Sequence, residues 1–283
     1  MSRLIFGTAG IPLSTVSNKD LDSLTASGIK RIGELGLGTM ELEFVNKIYL
    51  NQRTIPLVAA VQNEVGLPLS AHAPYFINLN AKEDSKLDLS RAYIFNSAKT
   101  LYACGGTDVV FHCGFYMGDD SQDAYKKIRD QIFLIEKKLV AEDVKIRLRP
   151  EVSGKKSVFG SVEEVINLSR DLETVWPCID FSHAYAREGG NFNSYEDFCS
   201  IMLKMKEHLG EESVHNLLHA HVSGIICTDK GEKKHENFTT SKFNKEAFVK
   251  ALKDMNAGGR VICESDNLEN DALIIKRIYE GLN

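Results

Sequence analysis

Residues 108–114 read DVVFHCG, a run of β-branched and aromatic residues that ends in a histidine, a cysteine and a glycine. A short apolar run of this kind is typical of a buried strand. Seven comparable runs occur elsewhere in the chain: RLIFGTA (3–9), TMELEF (39–44), PLSAHA (68–73), VKIRLRPE (144–151), VWPCIDFSHA (175–184), NLLHAHVSG (216–224) and GRVICES (259–265). The sequence therefore predicts eight strands.

Segments of helical period lie between these strands, with apolar residues at every third or fourth position. Seven such segments are evident, at 21–29, 55–65, 87–104, 124–139, 162–172, 195–209 and 244–255. Strands and helices that alternate in this way favour a parallel sheet with crossover helices, and eight units close most simply into a barrel. We therefore predict an α/β fold, a single (β/α)₈ TIM barrel, with an open doubly wound sheet as the alternative.

The composition limits the domain organisation and the class of protein. The chain has 283 residues, 43% of them hydrophobic, and no Gly/Ser/Pro-rich linker, so we predict one domain over residues 1–283. The polar segment 229–241 is predicted to be a loop over the barrel mouth.

No stretch approaches the ~20 apolar residues of a membrane span, and the six cysteines form no CxxC pair. We expect a cytoplasmic protein with reduced thiols and no membrane association.

The net charge of −5 argues against a protein that coats nucleic acid by bulk charge. Bound divalent cations would nevertheless concentrate positive charge at one place, where an ion's own charge dominates.

Metal-binding side-chain types are concentrated where the predicted strands end. In a barrel these ends all face one pocket, so residues far apart in sequence converge there. The residues concerned are Glu43, His72, His112, Glu151, Asp180, His183, His221, His235 and Glu264. Imidazole and carboxylate donors without thiolate suit zinc, manganese or iron better than calcium or magnesium, and we favour zinc. The sequence thus predicts a metal site at the C-terminal ends of the strands.

A carboxylate such as Glu151 or Glu264 can bridge two metal ions about 3.5 to 4 Å apart. Such a pair suits the hydrolysis of a phosphate ester, because it holds both the attacking and the leaving oxygen. Metal-assisted phosphoryl transfer is therefore one chemistry that these residue types support.

Several strings together resemble the endonuclease IV family of abasic-site DNA repair enzymes, and its archaeal-type members in particular. They are HAPYFINLN (72–80), VFHCG (110–114), EVSGKKSVFGS (151–161), DFSHAYARE (180–188), HVSG (221–224) and HENF (235–238). The resemblance covers nearly the whole predicted barrel. It implies a hydrolase that cuts the phosphodiester 5′ to an abasic site in duplex DNA, using a hydroxide that bridges metal ions. Duplex DNA with an abasic or oxidised lesion is the implied partner, and we expect a monomer.

The same resemblance implies a set of zinc ligands. His72, His112 and Glu151 would hold one ion, and Glu151 would bridge to a second ion held by Asp180, His221 and Glu264. His183 and His235 would belong to a third. Glu151 and Glu264 would be the catalytic carboxylates.

The sequence departs from the family pattern at Lys233, because the family has an aspartate two places before the histidine that matches His235. Glu232 or Asp229, from the same predicted loop, is a candidate to replace this aspartate as a ligand. Alternatively the site holds two ions and Lys233 contacts a phosphate, which is the arrangement that we predict.

DNA contacts are predicted for loop residues that follow strand ends. Tyr75 matches a family aromatic that enters the DNA at the lesion, whereas the alternative is a rim aromatic packed on the next loop. Lys155, Arg187 and Lys233, with Lys156, Lys230 and Lys234, are candidates for a basic collar that contacts phosphates. His219 shares a strand face with His221 but lies deeper, which predicts support of a ligand or core packing.

Two other functions remain open at this point. A sugar isomerase or epimerase with a xylose-isomerase-like barrel would also carry His, Glu and Asp ligands at its mouth, and fold cannot separate the two. A DNA-binding protein that keeps the metals but has lost turnover is the other alternative.

Overall fold

The computed structural model describes residues 4–17 and 21–282. Arg3, the first residue of the first predicted strand, lies outside this part of the chain. The described residues form these strands: β1 (Leu4–Ala9), β2 (Thr39–Glu43), β3 (Leu69–His72), β4 (Asp108–Phe111), β5 (Arg147–Pro150), β6 (Ile179–Asp180), β7 (Leu218–Val222), β8 (Gly224–Thr228), β9 (Gly231–Glu236) and β10 (Gly259–Cys263).

Eight of these strands form one parallel sheet in the order β5-β4-β3-β2-β1-β10-β7-β6. The two edge strands meet through parallel bridges that pair Leu148 with Val175 and Glu151 with Cys178. Backbone hydrogen bonds from Trp176 N to Leu148 O (2.9 Å) and from Val152 N to Cys178 O (3.1 Å) follow the same seam. The sheet thereby closes on itself, and the predicted (β/α)₈ barrel is confirmed.

The described residues also form these helices: α1 (Leu24–Glu34), α2 (Thr54–Val65), α3 (Asp84–Ala103), α4 (Ser121–Ala141), α5 (Val162–Asp171), α6 (Phe181–Arg187), α7 (Tyr195–Leu209), α8 (Glu212–His215), α9 (Lys245–Asp254) and α10 (Glu269–Gly281). Capping boxes start two of them, with Ser161 and Glu164 at α5 and Ser194 and Asp197 at α7. None of the helices in the described ranges is long and apolar enough to cross a membrane.

The barrel interior carries polar groups at both ends. At the start of β4 the buried carboxylate of Asp108 accepts hydrogen bonds from Arg149 Nε (2.7 Å), Arg147 Nε (2.7 Å) and Arg260 Nη2 (3.0 Å). A buried charge is tolerated where it is paired and hydrogen-bonded in this way. The opposite end of the barrel, where the strands finish, carries histidines and carboxylates.

The segment 229–241 differs from its prediction as a loop. Strands β8 and β9 pair antiparallel, with a register irregularity at Ile226 and Cys227. The sequence GEKKHE of β9 has no apolar alternation, so its pattern does not predict a strand. Gly231 has φ +101°, and a Cβ there would lie 2.3 Å from Gly154 O, so only glycine allows the hairpin to approach the loop that follows β5.

Candidate metal centre

Three of the predicted ligands meet where β3, β4 and β5 end. Glu151 Oε2 lies 3.0 Å from His72 Nε2 and 3.3 Å from His112 Nε2. On its other side the His72 ring places Nδ1 2.8 Å from the carbonyl oxygen of Ala73. A carbonyl only accepts, so Nδ1 carries a proton and Nε2 is the nitrogen that would bind an ion. These residues form the first cluster.

The second cluster contains Glu151, Asp180, His221 and Glu264, whose ligand atoms all lie within 4.8 Å of one another. His221 Nδ1 is 3.0 Å from Glu151 Oε1 and 3.1 Å from Glu264 Oε1. The two oxygens of Glu151 therefore face different clusters, which is the arrangement that a bridging carboxylate requires.

Asp180 and His183 take their positions from the junction of β6 and α6. Asp180 is the N-cap of α6, and its Oδ1 accepts a hydrogen bond of 2.7 Å from the backbone N–H of His183. Its Oδ2 is buried and lies 3.1 Å from Nδ1 of the His183 ring. The carboxylate of Asp180 therefore contacts both the backbone and the ring of His183.

The third cluster consists of His183, Glu232 and His235. Glu232 Oε2 is 3.6 Å from His183 Nε2, and Glu232 Oε1 is 3.8 Å from His235 Nε2. Lys233 is exposed and belongs to no cluster of the described residues. In β9, Ile226 pairs with Lys234 and Cys227 pairs with Glu232, so Lys233 is the additional residue of a β-bulge. The bulge brings Glu232 to the histidine pair from three places before His235.

Neighbouring carboxylates raise the pKa of two histidines of the centre. Burial alone would lower the pKa of His72, but the hydrogen bond and charge of Glu151 raise it to about 10. Burial also opposes protonation of His183, yet the charges of Asp180 and Glu151 raise its pKa to about 9. Without bound metal, these imidazolium groups offset part of the negative charge.

Burial and neighbouring charges act differently on the carboxylates themselves. Burial raises the pKa of Asp180 to about 6, although His183 opposes the shift. For Glu264 burial acts in the same direction, but the charge and hydrogen bond of His221 outweigh it and bring the pKa to about 2. Glu264 is thus anionic at neutral pH.

A family model described as a xylose isomerase-like TIM barrel matches residues 29–280. The chain belongs to this family. The uncharacterized protein MJ0133 of Methanocaldococcus jannaschii is 40% identical over 279 residues, which cover 99% of this chain and 98% of that protein. The probable endonuclease 4 of Mycobacterium leprae is 25% identical over 211 residues, 73% of this chain and 76% of the relative.

Solved structures with two different activities share this xylose isomerase-like fold. Endonuclease IV from Thermus thermophilus superposes with a TM-score of 0.71 at 20% identity, covering 96% of this chain and 97% of that chain. A D-tagatose 3-epimerase-like protein gives a TM-score of 0.68 at 20% identity, covering 92% and 93%. At this identity the likeness establishes the fold alone.

A layer of buried polar residues supports the centre of this xylose isomerase-like barrel from below. Glu41 on β2 lies 3.1 Å from His219 Nε2 through Oε2 and 3.0 Å from His221 Nε2 through Oε1. Ser70 Oγ donates a hydrogen bond of 2.7 Å to Oε2 of the same carboxylate. His219 therefore lies deeper than the clusters. Glu41 was not among the predicted site residues, although its spacing of two from Glu43 puts both on one strand face.

Glu43 is the one strand-end residue of the predicted set that joins no cluster in the described part of the chain. It lies beside His72, its register partner on the next strand, and its Oε1 is buried without a hydrogen-bond partner there. Burial raises the pKa of Glu43 to about 8, with a smaller opposing effect of His72.

The residues predicted to contact DNA fall into two groups. Tyr75 and Lys155 are exposed on loops, and Lys233 is exposed in β9. Arg187, by contrast, is only 9% exposed, and its Nη1 donates to the carbonyl oxygens of Ser153, Lys155 and Val158. The guanidinium thus holds the loop after β5, and its contact with a phosphate stays a prediction.

Proposed function

We propose that the protein is a metal-dependent endonuclease that hydrolyses the phosphodiester 5′ to an abasic site in duplex DNA. The observation that supports this most is the presence of three ligand clusters at one barrel mouth, with Glu151 shared between two of them. A one-metal sugar isomerase needs fewer ligands. The sequence similarity to probable endonuclease 4 points the same way.

Zinc is the ion that we propose, with manganese or iron as substitutes, because the clusters combine imidazole with carboxylate. His72, His112 and Glu151 would hold the first ion, and Glu151, Asp180, His221 and Glu264 the second. His183, Glu232 and His235 would hold the third. When bound, divalent ions polarise phosphate oxygens and lower the pKa of water, which supplies a nucleophile at neutral pH.

The protein's own groups then orient the reactants. Glu264 stays anionic and accepts a hydrogen bond from the attacking water, while its contact with His221 fixes the direction of its carboxylate. Glu151 is buried and faces two clusters, so it sets the spacing of the two positions. A water held in this way is positioned for attack on phosphorus.

Exposed residues of the rim would bind the DNA. Tyr75 is 54% exposed, and its ring lies 4.2 Å from that of the equally exposed Phe76. Aromatic faces of this kind can stack on bases next to a lesion. Lys155 and Lys233 lie on the loop after β5 and within β9, where they would contact phosphates despite the net charge of −5. We propose that the protein acts as a monomer in the cytoplasm.

A sugar isomerase or epimerase is the second candidate, and Glu43 is the observation that favours it. A buried carboxyl that keeps its proton near neutral pH suits proton transfer to or from a sugar carbon. The solved epimerase-like neighbour shares the fold.

One set of assays separates these functions. Purified protein with zinc or manganese is incubated with a labelled duplex that carries one abasic analogue, and separately with ketose sugars. Incision supports the nuclease, whereas sugar interconversion without incision supports the second candidate. Tight binding of the lesion without turnover would indicate a DNA-binding protein and contradict both.

A further inference from the structure

A fourth group of donor residues lies beneath the metal centre, inside the barrel. Ligand atoms of Cys178, His219 and His221 lie within 4.8 Å of one another, and all three residues are fully buried. Among the clusters of the described residues, this is the one that contains a thiol. Glu41 borders it, with carboxylate oxygens 3.1 Å from His219 and 3.0 Å from His221.

One polar atom at this place, His219 Nδ1, is buried and has no hydrogen-bond partner within the described ranges. Glu41 Oε1 and His221 Nε2, by contrast, lie 3.0 Å apart and pair with each other. Buried polar atoms are satisfied in the great majority of cases, so the unpaired nitrogen of His219 requires an explanation. A species bound beside it would supply one.

The chemistry of the donors distinguishes an ion from a water molecule. A thiol is a weak hydrogen-bond partner, so a water here would gain little from Cys178. One sulfur and two imidazole nitrogens are instead the donors that zinc and softer ions prefer. Manganese prefers the oxygen-rich second cluster for the same reason.

We propose that Cys178, His219 and His221, with Glu41 beside them, form a further metal position for a zinc-class or softer ion. When the ion binds, Cys178 releases its thiol proton to solvent and the thiolate sulfur coordinates the ion. A neutral imidazole has one free lone pair, and His221 is also needed by the second cluster. The two positions therefore compete for His221, and occupation of the deeper one removes a ligand from the second cluster.

Cadmium added to manganese-loaded protein tests this without any DNA or sugar substrate, so the result is independent of the proposed function. We expect a near-ultraviolet cadmium–thiolate absorption band that saturates at about one ion per chain and is accompanied by release of about one manganese ion. Cys178→Ser should remove the band. Cys104→Ser is the matched control, because Cys104 is also buried but lies at the end of α3, outside every cluster of the described residues, and the band should persist.

X-ray absorption of the cadmium-loaded parent protein provides a second test that needs no variant. A sulfur neighbour together with nitrogen neighbours is the expected result. If Cys178→Ser does not fold, His219→Gln replaces it, and the thiolate band should again be lost. Cadmium spectra that contain only oxygen and nitrogen neighbours, or a band that survives in Cys178→Ser, would overturn the proposal and leave a buried water as the occupant.

Discussion

Glu232 Oε2 lies 3.6 Å from His183 Nε2, although Glu232 belongs to strand β9 and His183 to helix α6. The contact depends on the β-bulge at Lys233, which turns the lysine outward and directs Glu232 to the histidines. Glu232, three places before His235, thus faces the histidine pair, whereas the resemblance implies an aspartate two places before His235.

This contact changes the expected metal stoichiometry. The sequence predicts two tightly bound ions, because Lys233 would repel a third. With Glu232 facing His183 and His235, we now expect three. Glu232→Gln should reduce the content to about two ions per chain, and the matched control Lys233→Gln should leave three. Elemental analysis after dialysis without chelator checks this, and an unchanged content in Glu232→Gln would refute the assignment.

Glu264→Gln should lower turnover by about 100-fold or more while changing DNA affinity little, because it keeps the shape but removes the charge that orients the attacking water. Single-turnover kinetics and a binding titration on the same duplex separate the two effects. Glu246→Gln, an exposed residue in the first turn of α9, is the matched control. A variant that cleaves within a few-fold of the parent would show that Glu264 is not needed.

Metal binding should release protons and weaken as the pH falls. In the metal-free protein the pKa of His72 is about 10 and that of His183 about 9, so both are protonated at neutral pH. Each must lose its proton to bind an ion, and each displaced proton lowers the apparent affinity by about tenfold per pH unit below its pKa. Calorimetry in two buffers of different ionisation enthalpy measures the proton count. Release of no protons at pH 7 would contradict the assigned ligands.

The stability of the metal-free protein should have the opposite dependence on pH. Because the folded-state pKa values of His72 and His183 are raised, their ion pairs stabilise the fold fully below about pH 6.5, the ordinary value for histidine. That contribution is lost as the pH rises through 9 to 10. Chemical denaturation of metal-free protein should show this loss, whereas metal-loaded protein, in which the histidines are already neutral, should not.

Arg187→Ala should destabilise the protein by about 1.5–3 kcal/mol, because three backbone carbonyls lose a charged hydrogen-bond donor. Lys155→Ala, an exposed neighbour in the loop that Arg187 holds, should leave stability unchanged and reduce the salt dependence of DNA binding. Thermal unfolding and salt titrations compare the two variants. Equal thermal stability of Arg187→Ala and the parent would contradict this structural role of Arg187.

Most of the barrel could be predicted from the sequence, because its strands are short apolar runs and most of its helices have apolar residues at every third or fourth position. α5 and α7 begin where predicted, since Ser161 and Ser194 cap them through their side chains. α10 was missed, and its N-cap Leu268 gives no side-chain start signal. The strand β9 was missed because its stability comes from backbone pairing and from the approach of Gly231 to Gly154, which periodicity does not reveal.

For the site, we predicted ligands from metal-binding residue types at the C-terminal ends of strands. The fold brings these residues together because all parallel strands end at one mouth of the barrel. This prediction could not separate Glu43 from the clusters or identify Glu41, since both lie on the same face of β2 and only their depth differs. It also could not distinguish Arg187 from the exposed lysines. Arg187 differs from the lysines in its burial, which depends on how the neighbouring loops pack in the folded protein.

We propose that the metal centre at this barrel mouth cuts DNA at an abasic site, and the position of the cut is the decisive measurement. A duplex labelled on the lesion strand and carrying one abasic analogue is incubated with zinc-loaded protein, with an undamaged duplex as control. We expect incision immediately 5′ to the lesion, leaving a 3′-hydroxyl that a polymerase extends, and no incision after chelation or in Glu264→Gln. An intact lesion strand at every zinc and manganese concentration, with protein shown to contain its metal ions, would contradict it.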